Sequence, residues 1–206
     1  KEIDMPRKLI LFGSGDIGQI AKYYFDIDSD YEPVCFTLDG DYVKEPTFEG
    51  LPVIPFEEIG AKYGPDECDI FIALSYKSMN KFRAQKYSEA KLKGYKIANY
   101  ISSKATYLSQ FKPGENCFIF EDNTIQPFVK IGNNVTIWSG NHIGHHSVIE
   151  DHNFISSHVV ISGHCHIEPY CFLGVNSTIA HKIRLASETL LGAGAIITKN
   201  TEFQSV

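Results

Sequence analysis

The sequence predicts an α/β domain with a small parallel sheet, followed by an all-β domain coiled from very short strands. Three observations carry that prediction. The first hundred residues alternate apolar runs with helical patterns. From Ile119 onward an Ile or Leu recurs at every sixth position. All eight histidines, from His142 to His181, fall inside that periodic stretch. The expected domains are 1–100 and 101–206.

In the first domain, "KLILFG" (8–13) is a short apolar run stopped by glycine, the pattern of a buried strand. "DIGQIAKYYFD" (16–26) follows with helical spacing, so that Ile17, Ile20, Ala21 and Tyr24 share a face. "EPVCFTLDGD" (32–41) reads as a second strand ending in a turn, and "GLPVIPFEEIGAKY" as a short strand and a short helix. "CDIFIALS" (68–75) is another buried strand, and "MNKFRAQKYSEAKLKG" (79–94) is an amphipathic helix closed by Gly94. Strands alternating with helices imply a mostly parallel sheet.

In the second domain, fourteen consecutive sixth positions, Ile119 to Ile197, hold Ile or Leu. Neither a helix nor an alternating strand has that period. A β-solenoid does: each hexad is one strand and one turn, and three hexads close a triangular coil. Residues eighteen apart then stack, His146 beneath His164, His164 beneath Lys182, and Asn123 beneath Asn141. Small residues four past each aliphatic, such as Val135, Ser147, Cys165 and Cys171, share the interior. Asn141 occupies such a position, which suits an amide ladder with Asn123. Trp138 follows an inward Ile137 and should point outward, onto a ligand or a neighbouring subunit.

The net charge of −6 argues against a general nucleic-acid or membrane-surface role. Five scattered cysteines without a CxxC pair suit a reducing cytoplasm, with Cys165 and Cys171 as core filler. No signal peptide and no bilayer-length apolar run is found, so a cytoplasmic location without membrane insertion is expected. The sequence opens on Lys1 and stops at Val206, inside or just after a repeat, so neither is taken as a natural end.

"GSGDIG" (13–18) matches G-x-G-x-x-G between a strand and a helix. Its physics is an anion cradle: glycines admit close backbone approach, and helix N-terminal N–H groups face a phosphate. Asp39 ends the next strand, as in a dinucleotide fingerprint. Three readings stand: NAD, a nucleotide-sugar diphosphate with Asp39 on base or ribose, and a tight turn without a ligand. Only a hundred residues precede the coil, too few for the usual two-half dinucleotide sheet, which favours the nucleotide sugar.

Both halves together resemble the NeuD/PglD-like sugar N-acetyltransferases of bacterial surface-glycan pathways, which are hexapeptide-repeat acyltransferases. The resemblance rests on "LILFGSGDIGQIA", "FEGLPVIPFEEI" (48–59), "MNKFRAQKY" (79–87), "NYISSKA" (99–105) and the hexads. It implies a Rossmann-like N-terminal domain that holds a nucleotide-linked amino sugar. It implies a left-handed parallel β-helix that forms a homotrimer and binds acetyl-CoA between subunits. Members carry a pattern like N-T-G-x-x-x-E-H-[DE], whose histidine falls here on His145. The acidic position after it holds His146, the asparagine position holds Trp138, and a second family histidine position holds Phe154. The resemblance further implies cofactor contacts at Gly163 and at Gly192, Ala193 and Gly194, where glycine equally relieves a tight corner.

On that basis His145 is expected to be a general base, taking the proton of an attacking amine, with His146 orienting it or the sugar. A metal site is the second reading. Solenoid carbonic anhydrases use three histidines, but where His145 and His181 would need a third partner the sequence has Ala186. That weakens the metal reading and leaves one form of it open, in which His146 and His164 meet a third ligand from a neighbouring subunit; no metal is expected, and His152, His158 and His166 are taken as surface decoration. Gly13, Ser14, Gly15, Asp39 and Trp138 are the expected substrate contacts. The expected reaction is acetyl-CoA-dependent N-acetylation of a nucleotide-linked amino-deoxysugar in lipopolysaccharide or O-antigen biosynthesis. O-acetylation or transfer of another acyl group, and a non-catalytic nucleotide-sugar-binding trimer, remain as alternatives.

Overall fold

The computed structural model describes residues 6–206. They divide into two compact units. The first comprises residues up to Ser75 together with Gln85–Ala98, and the second Tyr76–Ala84 together with Asn99–Val206. The second unit thus takes in Tyr76–Ala84, ahead of residue 100.

In the first unit, β1 (Arg7–Phe12), β2 (Tyr31–Leu38), β3 (Thr47–Phe48), β4 (Leu51–Pro55), β5 (Cys68–Ile72) and β6 (Lys96–Ile97) form one sheet. Its order is β3-β4-β2-β1-β5-β6. All neighbours are parallel except the β3–β4 hairpin at the edge. Helices α1 (Asp16–Ile27), α2 (Ile59–Lys62) and α3 (Lys81–Leu92) connect the strands. The chain winds outward from β1 in one direction through β2 and β4, then in the other through β5. That reversal puts a topological switch point between β1 and β5, where open α/β sheets bind ligands beyond the strand C-termini.

The core of this sheet includes Ile10, Phe12, Cys35, Ile70 and Ile72, all buried. The buried face of α1 is Gly18, Ala21 and Phe25, with Ile17, Ile20 and Tyr24 only half-buried beside it. The face is rotated from the one expected because Gly18 sits against the β1 turn. A Cβ at Gly18 would lie 2.0 Å from the Gly13 carbonyl oxygen. Helix α3 ends as its sequence predicts, with Gly94 at φ 87.

The second unit is the coil. Two-residue strands pair in parallel with strands eighteen residues on, as in Ile125↔Ile143 and Ile143↔Ile161. Every hexad aliphatic from Ile119 to Leu191 is buried, and Ile197 in the last turn is half-buried. Burying one such side chain contributes about 1.5–3 kcal/mol. A ladder hydrogen bond contributes about 1 kcal/mol net. Successive coils exchange several such bonds per hexad, as in Thr136 N–H to the Asn153 carbonyl and Trp138 N–H to the Ile155 carbonyl, so the ladder and the aliphatic shaft stabilise the coil together.

The corners have their own rule. The third residue after each aliphatic from Ile119 to Leu191 adopts the left-handed conformation, including Asp122, Phe128, Asn134, His146, His152, His158, His164 and Asn176. Asn, Asp and His are several-fold enriched there among non-glycine residues. Four of the histidines, His146, His152, His158 and His164, therefore stand where the turn geometry favours their type.

Buried amides join successive coils. The Asn141 N–H donates to Asn123 Oδ1 at 2.9 Å, and the Val159 N–H donates to Asn141 Oδ1 at 2.6 Å. Asn141 Nδ2 also donates to the Trp138 carbonyl. Tyr76–Ala84 lies on another part of this unit. Tyr76 meets the Phe154 and Phe172 rings at 5.1 and 4.6 Å. Arg83, 2% exposed, donates to the Asn134 and Asn153 carbonyls at 2.9 and 3.2 Å and to the Thr136 hydroxyl. Burial pushes its guanidinium down to about 10.

Asn141→Ala should lower unfolding free energy by about 1–3 kcal/mol, because the buried Val159 N–H loses its acceptor. Urea denaturation reads this directly. Unchanged stability would show that the ladder is dispensable.

Candidate functional site

Two places gather the residues that the sequence singles out, one in each unit. In the first unit, the glycines of "GSGDIG" have three different structural reasons. Gly13 has φ 119, and a Cβ there would lie 2.5 Å from the Ala73 carbonyl just past β5. Gly18 gives α1 its approach to β1. Gly15 is exposed, and a Cβ there would meet nothing within 4 Å. Gly15 caps α1 in extended conformation without any side-chain cap. Fold geometry therefore explains Gly13 and Gly18, while Gly15 keeps the helix N-terminus open at the switch point.

Ser14 lines a pocket in this unit with Leu38, Tyr42, Lys44, Glu45, Thr47, Phe48 and Val53. The pocket has apolar and aromatic walls, one cation and one carboxylate. Asp39 follows β2 as expected, but Lys86 holds it, Nζ to Oδ1 at 2.7 Å. The same ammonium group donates to Glu89 at 2.7 Å. One Asp39 oxygen is thus committed within the protein. No motif marks this partner, which comes from α3 far along the chain.

In the second unit, stacking builds a notch from two adjacent columns. One column holds His145, Gly163 and His181, and the other holds Phe128, His146 and His164, each eighteen residues apart. The His145 ring lies over Gly163, where a Cβ would sit 2.7 Å from its Nε2. Gly163 has no left-handed φ, so its lack of a side chain serves the ring rather than the turn. The His145 and His181 rings lie 6.4 Å apart.

His146 stacks between Phe128, at 4.5 Å, and His164, at 4.7 Å and within 8° of parallel. The two adjacent histidines meet through Nδ1 and Nδ1 at 3.0 Å. One nitrogen of that pair must donate and the other accept when both rings are neutral. Backbone N–H groups tie these residues to the adjacent coils. The His145 N–H donates to Gln126 Oε1 at 2.9 Å, the His146 N–H to the Pro127 carbonyl at 3.3 Å, and the His164 N–H to the His145 carbonyl at 2.9 Å. His164 is held below the ordinary imidazole range, by desolvation first and then by its neighbours His146, His145, His181 and Lys182.

The remaining candidates fall elsewhere in their unit. Trp138 is half-buried and stacks on Phe120 at 4.5 Å and 8°, so one face of its ring is already covered. Gly192, Ala193 and Gly194 are exposed in the last coil. A Cβ at Gly192 or Gly194 would meet nothing within 4 Å, and Gly194 has φ 72, which by itself calls for glycine. His152 bonds Asn134 Nδ2 at 3.0 Å and stacks on Tyr170. His166 pairs with Glu150, and His158 lies against Gly140. Cys165 and Cys171 are wholly buried, and burial raises both thiols, Cys171 to about 12, which suits filler rather than nucleophiles.

Gly163→Ala should displace the His145 ring while leaving the fold intact, since the clash is with a side chain at an exposed site. Imidazole NMR shifts should move for His145 with little change in melting temperature. Unmoved resonances would place the ring elsewhere in solution.

Comparison with known proteins comes to the same architecture. The family model "Bacterial transferase hexapeptide (six repeats)" matches residues 114–145 and 128–163. The acetyltransferase domain of PglB from Neisseria gonorrhoeae is similar at TM-score 0.83 and 20% identity, over 96% of this chain and 94% of that one. The same domain is also known in complex with acetyl coenzyme A. WeeI from Acinetobacter baumannii is similar at TM-score 0.80 and 20% identity, over 94% and 92%. A mutant perosamine N-acetyltransferase from Caulobacter crescentus, in complex with CoA and GDP-perosamine, is similar at TM-score 0.67 and 16% identity, over 94% and 89%. Repeats and fold together give the chain the architecture of these proteins, a mostly parallel sheet followed by a left-handed β-helix of hexapeptide repeats.

Proposed function

We propose that the protein is an acetyl-CoA-dependent N-acetyltransferase acting on the amino group of a nucleotide-linked amino-deoxysugar. The observation that carries this reading is His145, poised over the bare backbone of Gly163 with its Nδ1 against His146. Exposure leaves its other nitrogen accessible, and with Nδ1 donating to His146 that nitrogen carries the lone pair of a base. The complexes of similar proteins, one with acetyl coenzyme A and one with CoA and GDP-perosamine, support the two substrates.

The nucleotide diphosphate is assigned to the open Gly15 and the N-terminus of α1, with Ser14 beside it. Tyr42, Phe48 and Lys44 offer the stacking surface and cation that a nucleotide needs. Gly192, Ala193 and Gly194 are assigned to the pantetheine arm, which their open surface admits. The sugar nitrogen attacks the thioester carbonyl, forming the C–N bond. His145 accepts the nitrogen's proton, backbone N–H groups hold the oxyanion, and the C–S bond breaks to release CoA, whose sulfur takes the proton. The protein is assigned to a homotrimer in the cytoplasm, serving lipopolysaccharide or O-antigen biosynthesis.

His145→Ala should reduce kcat by roughly 10²–10⁴-fold, the range of a positioned proton acceptor. KM for acetyl-CoA should barely change. Release of free thiol from acetyl-CoA, followed with UDP-, dTDP- and GDP-amino sugars, makes the measurement. Near-full activity would remove His145 from the role.

Gly15→Val tests the other half. Gly15 is extended and open, so valine should fold there and block only the ligand. KM for the nucleotide sugar should rise at least about tenfold, a loss of about 1.4 kcal/mol, with KM for acetyl-CoA unchanged. Equal effects on both substrates would assign the motif to the turn alone.

A further inference from the structure

The columns bring together side chains from two adjacent coils. His145, His146 and His164 each present a ring nitrogen, and all three nitrogens lie within 4.8 Å of one another. We propose that these three histidines form a binding site for a divalent transition-metal ion of the zinc, nickel or copper kind.

The geometry is close to what such an ion needs. Ligand nitrogens at about 2.0–2.1 Å from a tetrahedral zinc stand about 3.3 Å apart. The His145 and His146 Nδ1 atoms already stand 3.0 Å apart. The rings are exposed, so small rotations of side chains close the remaining gaps. The backbone beneath is fixed, because the His164 N–H is bonded to the His145 carbonyl and the His146 N–H to Pro127. His181 adds a fourth imidazole within reach, its ring 5.5 Å from that of His164.

The donor set also decides the class of ion. All the ligands are imidazoles and none is a carboxylate, which suits zinc, nickel and copper and disfavours magnesium and calcium. Three protein nitrogens leave a coordination position open to water or another ligand. His145 and His181 lack a third partner, since Ala186 stands where one would be needed. His146 and His164, stacked one coil apart, find theirs in His145 of the same chain.

The site rests on geometry. Only its consequence for catalysis rests on His145 being the base, since a metal on His145 occupies a nitrogen of the proposed proton acceptor. The full chain, stripped with chelator, is titrated with ZnCl₂ by calorimetry, and Co²⁺ is added separately for its visible d–d bands. One equivalent per chain is expected, with the intense bands of low coordination. His146→Asn and His164→Asn should each weaken binding at least tenfold. Asparagine tolerates the left-handed corner, so these variants test ligation rather than folding, and circular dichroism confirms it. His158→Asn, at another corner, should bind like the wild type. Binding that fails to saturate at one equivalent, or that survives both substitutions, overturns the site. Stoichiometric binding without any effect on acyl transfer would leave the site standing and count against His145 as the base.

Discussion

The six-residue spacing of aliphatics along one shaft is the constraint on which the second unit depends. A two-residue strand holds no register of its own. Burial of an Ile or Leu once per hexad supplies it, because a slip of one residue would expose the whole series. Once the shaft is set, every other position inherits a fixed address. Inward small residues and amides fill the interior, corners take the left-handed conformation, and outward residues stack in columns.

The chemistry is a by-product of that addressing. His145 and His146 are neighbours in sequence but belong to different columns, and each meets partners that lie a full coil away. The corner rule brings in His146 and His164 because their residue type suits the backbone there. The next column needs a glycine at position 163, so that the His145 ring has somewhere to lie. A turn preference and a missing methyl group together produce an exposed cluster of imidazoles on a rigid support.

Much of this was legible in advance. The hexads gave the coil, the interior and the stacking of His146 under His164, since all follow from one integer. The glycine motif was legible as a turn, but the separate duties of Gly13, Gly15 and Gly18 were not. They depend on which backbone each glycine faces, such as Ala73 beyond β5. Two other features left no periodic trace. Lys86 reaches Asp39 from α3, and Arg83 buries its guanidinium among coil carbonyls, whereas Phe120 beneath Trp138, eighteen residues apart, obeys the stacking rule. The left-handed corners were written in the sequence as a run of His, Asn and Asp at one hexad position. They were missed because histidine invites a chemical reading before a conformational one.

The column structure has a consequence for how such a chain tolerates change in length. Removing a single hexad between His146 and His164 would leave the aliphatic series unbroken, so the shaft would still close. The next residue above His146 would then be Tyr170 in place of His164, and Pro169 would stand over His145 in place of Gly163. Removing three hexads would restore the rotation but lift a different coil into place. The architecture is indifferent to edits in multiples of six, whereas the imidazole notch is defined by one particular edge of the prism. Descendants of such a gene can therefore keep the scaffold and lose the site in a single in-frame deletion of eighteen nucleotides.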